Sequence, residues 1–232
     1  MRLMISNCRM NKMKKQIISF SGGKDSSAML LRMIELKYPI DEIVFCDTQL
    51  EYPEMYDWIK QIETLIDKKI TFIKGDDWDK WFYGKWTKGK HFGEIRGFPF
   101  VCGMNWCTRE LKHKPMEKLR KKGDIVYLGI ATNESKRVQK NPKYKYPLIE
   151  WDWSEQDCID YLNKKGLKHP LSKFKRTGCW LCPKQNLQSL RILMTDYPNL
   201  WKKLKQYEKD SPRGFRPDIK LEEFENREFA LE

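Results

Sequence analysis

The stretch QIISFSGGKDSSAML, residues 16–30, sets the tightest limit on the fold. A β-branched apolar run, Gln16 to Phe20, passes without a linker into Ser21-Gly22-Gly23, and the chain then places Leu30, Met33, Ile34 and Leu36 at helical spacing. Strand, glycine turn and helix in that order predict the first half of a βαβ unit. The alternation repeats: EIVFCDT (42–48), ITFIK (70–74) and DIVYLGI (124–130) read as further strands, and PEMYDWIKQIETLI and TRELKHKPMEKLRKK between them have helical spacing. Strands alternating with helices predict an α/β fold, a Rossmann-like parallel sheet with helices on both faces. Such sheets bind ligands at the carboxyl ends of their strands, where SGGKDS falls.

Beyond about residue 150 the strand-like runs stop. WSEQDCIDYLNKKG reads as a helix with Ser154 as N-cap, Asp157 three residues on and a Gly166 stop. HPLSKFKRTGCWLCP follows as a loop, then two helices broken near Pro198, and a polar tail from Ser211 with little to order it. The expected division is a nucleotide-binding domain over 1–165 and a small helical C-terminal region with a Cys-rich turn over 166–232.

The 45 Lys and Arg against 32 Asp and Glu give a net charge of +13, which attracts polyanions without choosing among nucleotides, RNA, DNA and anionic lipid. No apolar run approaches the roughly 20 residues of a membrane span. MRLMISNCRMNKMKK also lacks the apolar core of a signal peptide, so a cytoplasmic protein without a membrane partner is expected. Seven cysteines, an odd number, then argue for thiols, metal ligands or redox chemistry rather than a disulfide framework.

A Ser-Gly-Gly turn lets backbone N–H groups converge on an anion; the helix after it adds its positive end, and Lys24 adds a full charge. The alternative is a tight strand-to-helix turn with Ser or Asp as a cap. The P-loop pattern is excluded, because Asp25 stands where it needs Ser or Thr and Ile18 where it needs glycine. The longer string SFSGGKDSSAML resembles instead the S-G-G-x-D-S loop of the ATP pyrophosphatase (adenine nucleotide alpha hydrolase, PP-loop) superfamily, whose members split a nucleoside triphosphate between its α and β phosphates. VFCDTQLEYPE, WCTRELKHKP, LGIATNESKR and YPLIEWDWSEQDCIDYL, in that order, are similar to segments of its phosphoadenosine phosphosulfate reductase-like branch, over roughly residues 15 to 185.

That resemblance implies site residues. Ser21, Gly22, Gly23, Asp25 and Ser26 match the pyrophosphate cradle, with Lys24 as an added counter-charge. Asp47 and Thr48 end the second strand near the expected adenosine, Gly129 lets the nucleotide approach the backbone, and Glu134 and Arg137 follow on a loop. Lys24, Asp25, Asp47 and Arg137 are the candidate catalytic groups. A helix cap remains the alternative for Asp47, and a solvated charge for Arg137.

Cys179 and Cys182 in GCWLCP form a C-x-x-C turn with metal-ligand spacing. Cys102 and Cys107 precede a helix whose N-terminal end favours thiolate. Four thiolates could hold a [4Fe–4S] cluster or, alternatively, zinc; a redox disulfide or plain thiols is the other reading. Iron–sulfur members of the family carry tandem cysteines before that helix, whereas this chain has Cys107-Thr108, which makes Cys102 the required fourth ligand.

Three function classes follow. The preferred one is an enzyme that binds ATP with Mg²⁺, cleaves it between the α and β phosphates and adenylates an acceptor, as relatives do in sulfur transfer to nucleic acid. It would have tRNA or DNA, a sulfur-donor protein and a second copy of the chain as candidate partners. Basic residues mixed with aromatics in KRVQKNPKYKY, KKGLKHPLSKFKR and WKKLKQY carry the nucleic-acid expectation. The second is a phosphoadenosine phosphosulfate (or adenylyl sulfate) reductase, disfavoured because no cysteine follows Cys182. The third is a non-catalytic nucleotide-binding module.

Overall fold

The computed structural model describes residues 14–99 and 105–229. Five parallel strands, β1 (Gln16–Phe20), β2 (Glu42–Asp47), β3 (Ile70–Lys74), β4 (Ile125–Leu128) and β5 (Tyr144–Lys145), form one sheet in the order β3-β2-β1-β4-β5. The chain leaves β1 toward β2 and β3, then returns to the other side of β1 through β4. The direction therefore reverses between β1 and β4, and this is where open parallel sheets leave a crevice at their carboxyl ends.

Helix α1 (Lys24–Glu35) follows β1 and α2 (Pro53–Ile66) follows β2. Next come α3 (Trp78–Phe82) and α4 (Trp106–Thr108), a π-turn (Arg109–His113), and α5 (Lys114–Leu119). Pro115, the second residue of α5, has no N–H to give to the carbonyl four residues back, which favours the register shift just before it. A 3₁₀ segment (Thr132–Arg137) follows β4, and the rest is α6 (Pro147–Glu150), α7 (Glu155–Lys164), α8 (Leu187–Asp196), α9 (Pro198–Asp210) and α10 (Leu221–Phe229).

Successive strand residues point to opposite faces, and both faces are covered. Ile18, Phe20, Ile43 and Phe45 join Met29, Met33, Ile59 and Ile62 in one apolar cluster, while Ile17, Val44 and Val126 pack with Met116 and Leu119 on the other side. This alternation explains why β1 and β2 read as continuous apolar runs rather than as alternating ones. The expected α/β sheet with helices on both faces, and the helical C-terminal region, are both present. That region's Leu171, Phe174, Trp180, Leu190, Trp201 and Leu204 belong to the same cluster as Ile18.

One expectation changes. The tail after Ser211 is ordered over α10: Leu221 and Phe224 are buried, the Leu221 N–H donates to the Glu208 carboxylate at 3.0 Å, and Lys205 Nζ donates to Glu225 at 2.5 Å. An i, i+3 apolar pair and a few well-placed acids were enough to dock a segment whose composition reads as polar. Gly129 carries a packing requirement as well. A Cβ there would lie 2.8 Å from Ser26 Cα, so the glycine lets the end of strand β4 approach the start of α1. Gly129→Ala is therefore expected to destabilise the protein by about 1–3 kcal/mol by overpacking, read as a fall in the midpoint of urea unfolding.

Candidate active site

At the carboxyl ends of β1 and β4 opens a cleft of about 420 Å³. It is lined by Ser21, Gly23, Lys24, Asp25, Ser26, Thr48, Gly129, Glu134 and Arg137, so nine residues expected from the sequence meet in one place. That volume lies within the range of about 300–1,000 Å³ usual for small-ligand sites.

The loop is held by its own side chains. Gly22 takes φ +74°, a left-handed conformation suited to glycine, and a Cβ there would strike Met55 Sδ at 2.4 Å. Ser26 Oγ donates to the Gly23 carbonyl at 2.9 Å and so accepts from Ser21 Oγ, also at 2.9 Å. Helix α1 starts at Gly23, which has no side chain to cap it, and the first-turn amides carry no side-chain cap. Uncapped N–H groups at the positive end of a helix form an anion site.

Charge around this end is paired but displaceable. Lys24 Nζ pairs with Glu155 and Arg137 Nη1 with Glu134. Asp25 lies among all four. Burial first, with Glu155 and Glu134, pushes its carboxyl up to about 6 against the opposing pull of Lys24 and Arg137. Its Oδ1 is buried with no hydrogen-bond partner. An oxygen left without a donor at a phosphate-sized cradle fits a hard divalent cation, which takes oxygen ligands.

Gly22 and Asp47 do not line the cleft. Asp47 is buried at the end of β2, where its Oδ1 accepts from Gln49 N–H and Tyr56 O–H, each at 2.8 Å. It does not cap α2, whose N-cap is Tyr52 without a side-chain bond. Thr48 reaches the cleft and donates to Glu51 Oε1 at 2.9 Å.

One residue that sequence reasoning passed over stands behind the loop. His169, buried, places Nε2 2.9 Å from the Gly22 carbonyl and accepts the Leu171 N–H on Nδ1 at 3.2 Å. Those two bonds fix the neutral Nε2–H tautomer, and burial holds the imidazole below its ordinary range. The only signal available was the dipeptide His169-Pro170, which reads as loop punctuation. Lys112, Lys175, Arg176, Thr177 and Lys184 also line the cleft.

Cys107, Cys179 and Cys182 share a wall of the same cleft; Cys102 lies outside the described residues. The Trp180 N–H donates to the Leu50 carbonyl at 3.1 Å and Gln185 Nε2 to the Trp180 carbonyl at 2.8 Å, which pins the C-x-x-C turn beside β2. Within it, the Cys182 N–H donates to the Cys179 carbonyl at 3.1 Å. The Cys179 thiol donates to Cys182, which with the Lys184 amide, Arg176 and Lys112 pulls Cys182 toward thiolate against its burial. Cys179, the donor, is pushed up. Among the described residues no three of His, Cys, Asp and Glu converge on a common metal position, and the expected four-thiolate set includes Cys102, which lies outside them.

Two outcomes are expected. In the unliganded protein Asp25 titrates with its folded value above the unfolded one, so it destabilises the fold as pH rises from about 4 to 6. Asp25→Asn should then raise stability at pH 7–8 by about 1–3 kcal/mol, measurable as a rise in the midpoint of thermal unfolding. With iodoacetamide at neutral pH, mass spectrometry should find Cys182 labelled before Cys158, which is fully buried and pushed up by burial. Cys179→Ala should slow the Cys182 reaction.

The chain is similar to several known proteins. It is 27% identical over 83% of its length to an uncharacterized protein of Methanocaldococcus jannaschii, of which the match covers 41%. It is 25% identical over 68% of its length to the phosphoadenosine 5'-phosphosulfate reductase of Aliivibrio salmonicida, of which 62% is covered. The chain thus spans less than two thirds of the length of each of these relatives. Its fold is similar to the crystal structure of the phosphoadenylyl-sulfate reductase of Candida auris, with a TM-score of 0.50 and 16% identity over 71% of this chain and 81% of that one. The model of the phosphoadenosine phosphosulfate reductase domain matches residues 15–185, and the chain belongs to that family.

Proposed function

We propose that the protein binds ATP in the cleft and cleaves it between the α and β phosphates, transferring adenylate to an acceptor. The observation that carries this reading is the uncapped start of α1 with the unpartnered Asp25 Oδ1 beside it. A cradle of that kind suits a pyrophosphate group together with a cation.

In this reading the β and γ phosphates sit on the first-turn amides of α1, and Lys24 leaves Glu155 for the phosphate oxygens. Arg137 likewise exchanges Glu134 for the nucleotide, so two internal ion pairs are replaced by stronger charge-assisted bonds. Asp25 would hold Mg²⁺, whose contribution is to neutralise charge on the leaving pyrophosphate. The remaining catalysis is positioning and electrostatic stabilisation, the mode expected of phosphoryl and nucleotidyl transfer. His169 acts from behind by fixing the Gly22 carbonyl and hence the direction of the next amides. The cationic far side of the cleft, Lys112, Lys175, Arg176 and Lys184, would receive an anionic acceptor.

The curated relatives named as phosphoadenosine 5'-phosphosulfate reductases favour a second reading, in which the nucleotide is a sulfonucleotide and the product sulfite. One experiment separates the two. With ATP, Mg²⁺ and candidate acceptors, the proposal expects AMP-containing products and pyrophosphate, and a loss of at least about 100-fold in Lys24→Ala and Asp25→Ala, the scale of removing one electrostatic stabiliser. Release of orthophosphate instead, or sulfite from phosphoadenosine phosphosulfate with thioredoxin and no pyrophosphate from ATP, would overturn it.

A further inference from the structure

Between α3 and α4 the chain departs from the sheet and builds a short hairpin. Trp86 N–H donates to the Glu94 carbonyl at 2.9 Å, Gly93 N–H to the Trp86 carbonyl at 2.9 Å, and Arg96 N–H to the Gly84 carbonyl at 2.9 Å. Bridges Lys85–Ile95 and Trp86–Phe92 complete the pairing. The Arg96 guanidinium lies over the Trp81 ring at 4.7 Å and the Trp86 ring at 5.8 Å, fastening the hairpin base to α3. It is a built element, not a loose loop.

Its surface has an unusual composition. Lys85, Lys88 and Lys90 are exposed, and among the described residues none has an ion-pair partner. The one acid of the hairpin, Glu94, is occupied by His91 at 2.9 Å and Arg213 at 3.7 Å. Phe92 stands in the same tip with 73% of its surface exposed, the highest of the exposed large apolar side chains. Pro99, three residues beyond Arg96, lines the cleft, and so does Trp78, which stacks on Phe82 at the hairpin's root.

Part of the basic segments expected from sequence to hold nucleic acid is engaged within the fold. In WKKLKQY, Trp201 is buried and bonded to Glu225, Lys205 pairs with Glu225, and Tyr207 donates to Asp79 at 2.5 Å. Lys165 and Lys173 pair with Glu35 and Asp196. Those charges hold the fold.

We propose that the hairpin, residues 84–96, docks a single-stranded nucleic acid, with Lys85, Lys88 and Lys90 on its phosphates and Phe92 stacked on an unpaired base. Free cations match the phosphate charge, and an exposed ring needs a base face that a duplex does not offer. A bilayer fits less well: among the described residues Phe92 is the one large apolar side chain exposed at the tip, and a lone ring gives little area to insert. The inference narrows the acceptor class of the proposed reaction and rests on that reading only for what happens after binding.

The test is fluorescence anisotropy with short labelled RNA and DNA, single-stranded and duplex, without nucleotide and across a KCl series. The intact chain should bind single strands. Lys85→Ala/Lys88→Ala/Lys90→Ala should reduce the slope of log K against log salt by about 2, at roughly 0.7 per phosphate contact. Phe92→Ala should weaken single-strand binding about tenfold and leave duplex binding unchanged. Thermal shift with ATP on the same variants checks that the fold and cleft survive. Unchanged slope and affinity in these variants, equal loss on duplex, or binding confined to phosphatidylserine vesicles would overturn the inference. Failure of ATP cleavage with intact hairpin-dependent binding would instead overturn only the proposed reaction.

Discussion

The hydrogen bond between His169 Nε2 and the Gly22 carbonyl, 2.9 Å long, spans 147 positions of sequence and ties the two ends of the molecule's chemistry together. Gly22 can take its left-handed turn because it lacks a side chain, but glycine supplies freedom without direction. Direction comes from outside the loop. The imidazole accepts the Leu171 amide and lies edge-on to Trp58 at 5.1 Å, while Trp58 Nε1 donates to Ser27 Oγ at 3.0 Å on the first turns of α1. Loop, helix α1, helix α2 and the segment before the C-x-x-C turn thus share one buried polar contact, and the amides at the start of α1 are oriented before any ligand arrives.

Burial at this junction has a consequence for charge. Asp25 is kept in surroundings that disfavour its ionised form, with neighbouring cations already paired to Glu155 and Glu134. Such an arrangement is less stable empty than it would be with an amide in place of the carboxylate. In the proposed reaction a polyphosphate with a cation would relieve it by giving Asp25 Oδ1 a partner and Lys24 a stronger one. Preorganisation of this kind, in which stability is surrendered at the site, is the usual physical basis of tight and directional phosphate binding.

Much of the fold was legible in the sequence because the signals were local. Gln16–Phe20 and Glu42–Asp47 are apolar on both faces, Pro53 opens α2 at the predicted residue, and Ser154 with Asp157 forms the capping box its spacing announces. The tail was misread because α10 is stabilised by partners on α9, which no local pattern shows. Asp47 was legible as the end of β2 but not in its contacts: Tyr56, one helix later, and the Gln49 amide take its oxygen.

The sequence by itself determined the loop SGGKDS, its place after a buried strand, and the family of folds in which such a loop occurs. Only the tertiary structure decided which residues face the cleft, since that depends on strand order and on which side of β1 the chain returns. It brought Arg137, Glu155 and Cys182 into the lining of one cleft with Asp25, and it left Asp47 outside. It also separated basic residues that hold the fold, such as Lys205 on Glu225, from Lys85, Lys88 and Lys90 of the hairpin, which have no ion-pair partner among the described residues. Spacing along a chain specifies dihedral angles and faces; whether a charge is free or paired is settled by what the rest of the chain places beside it.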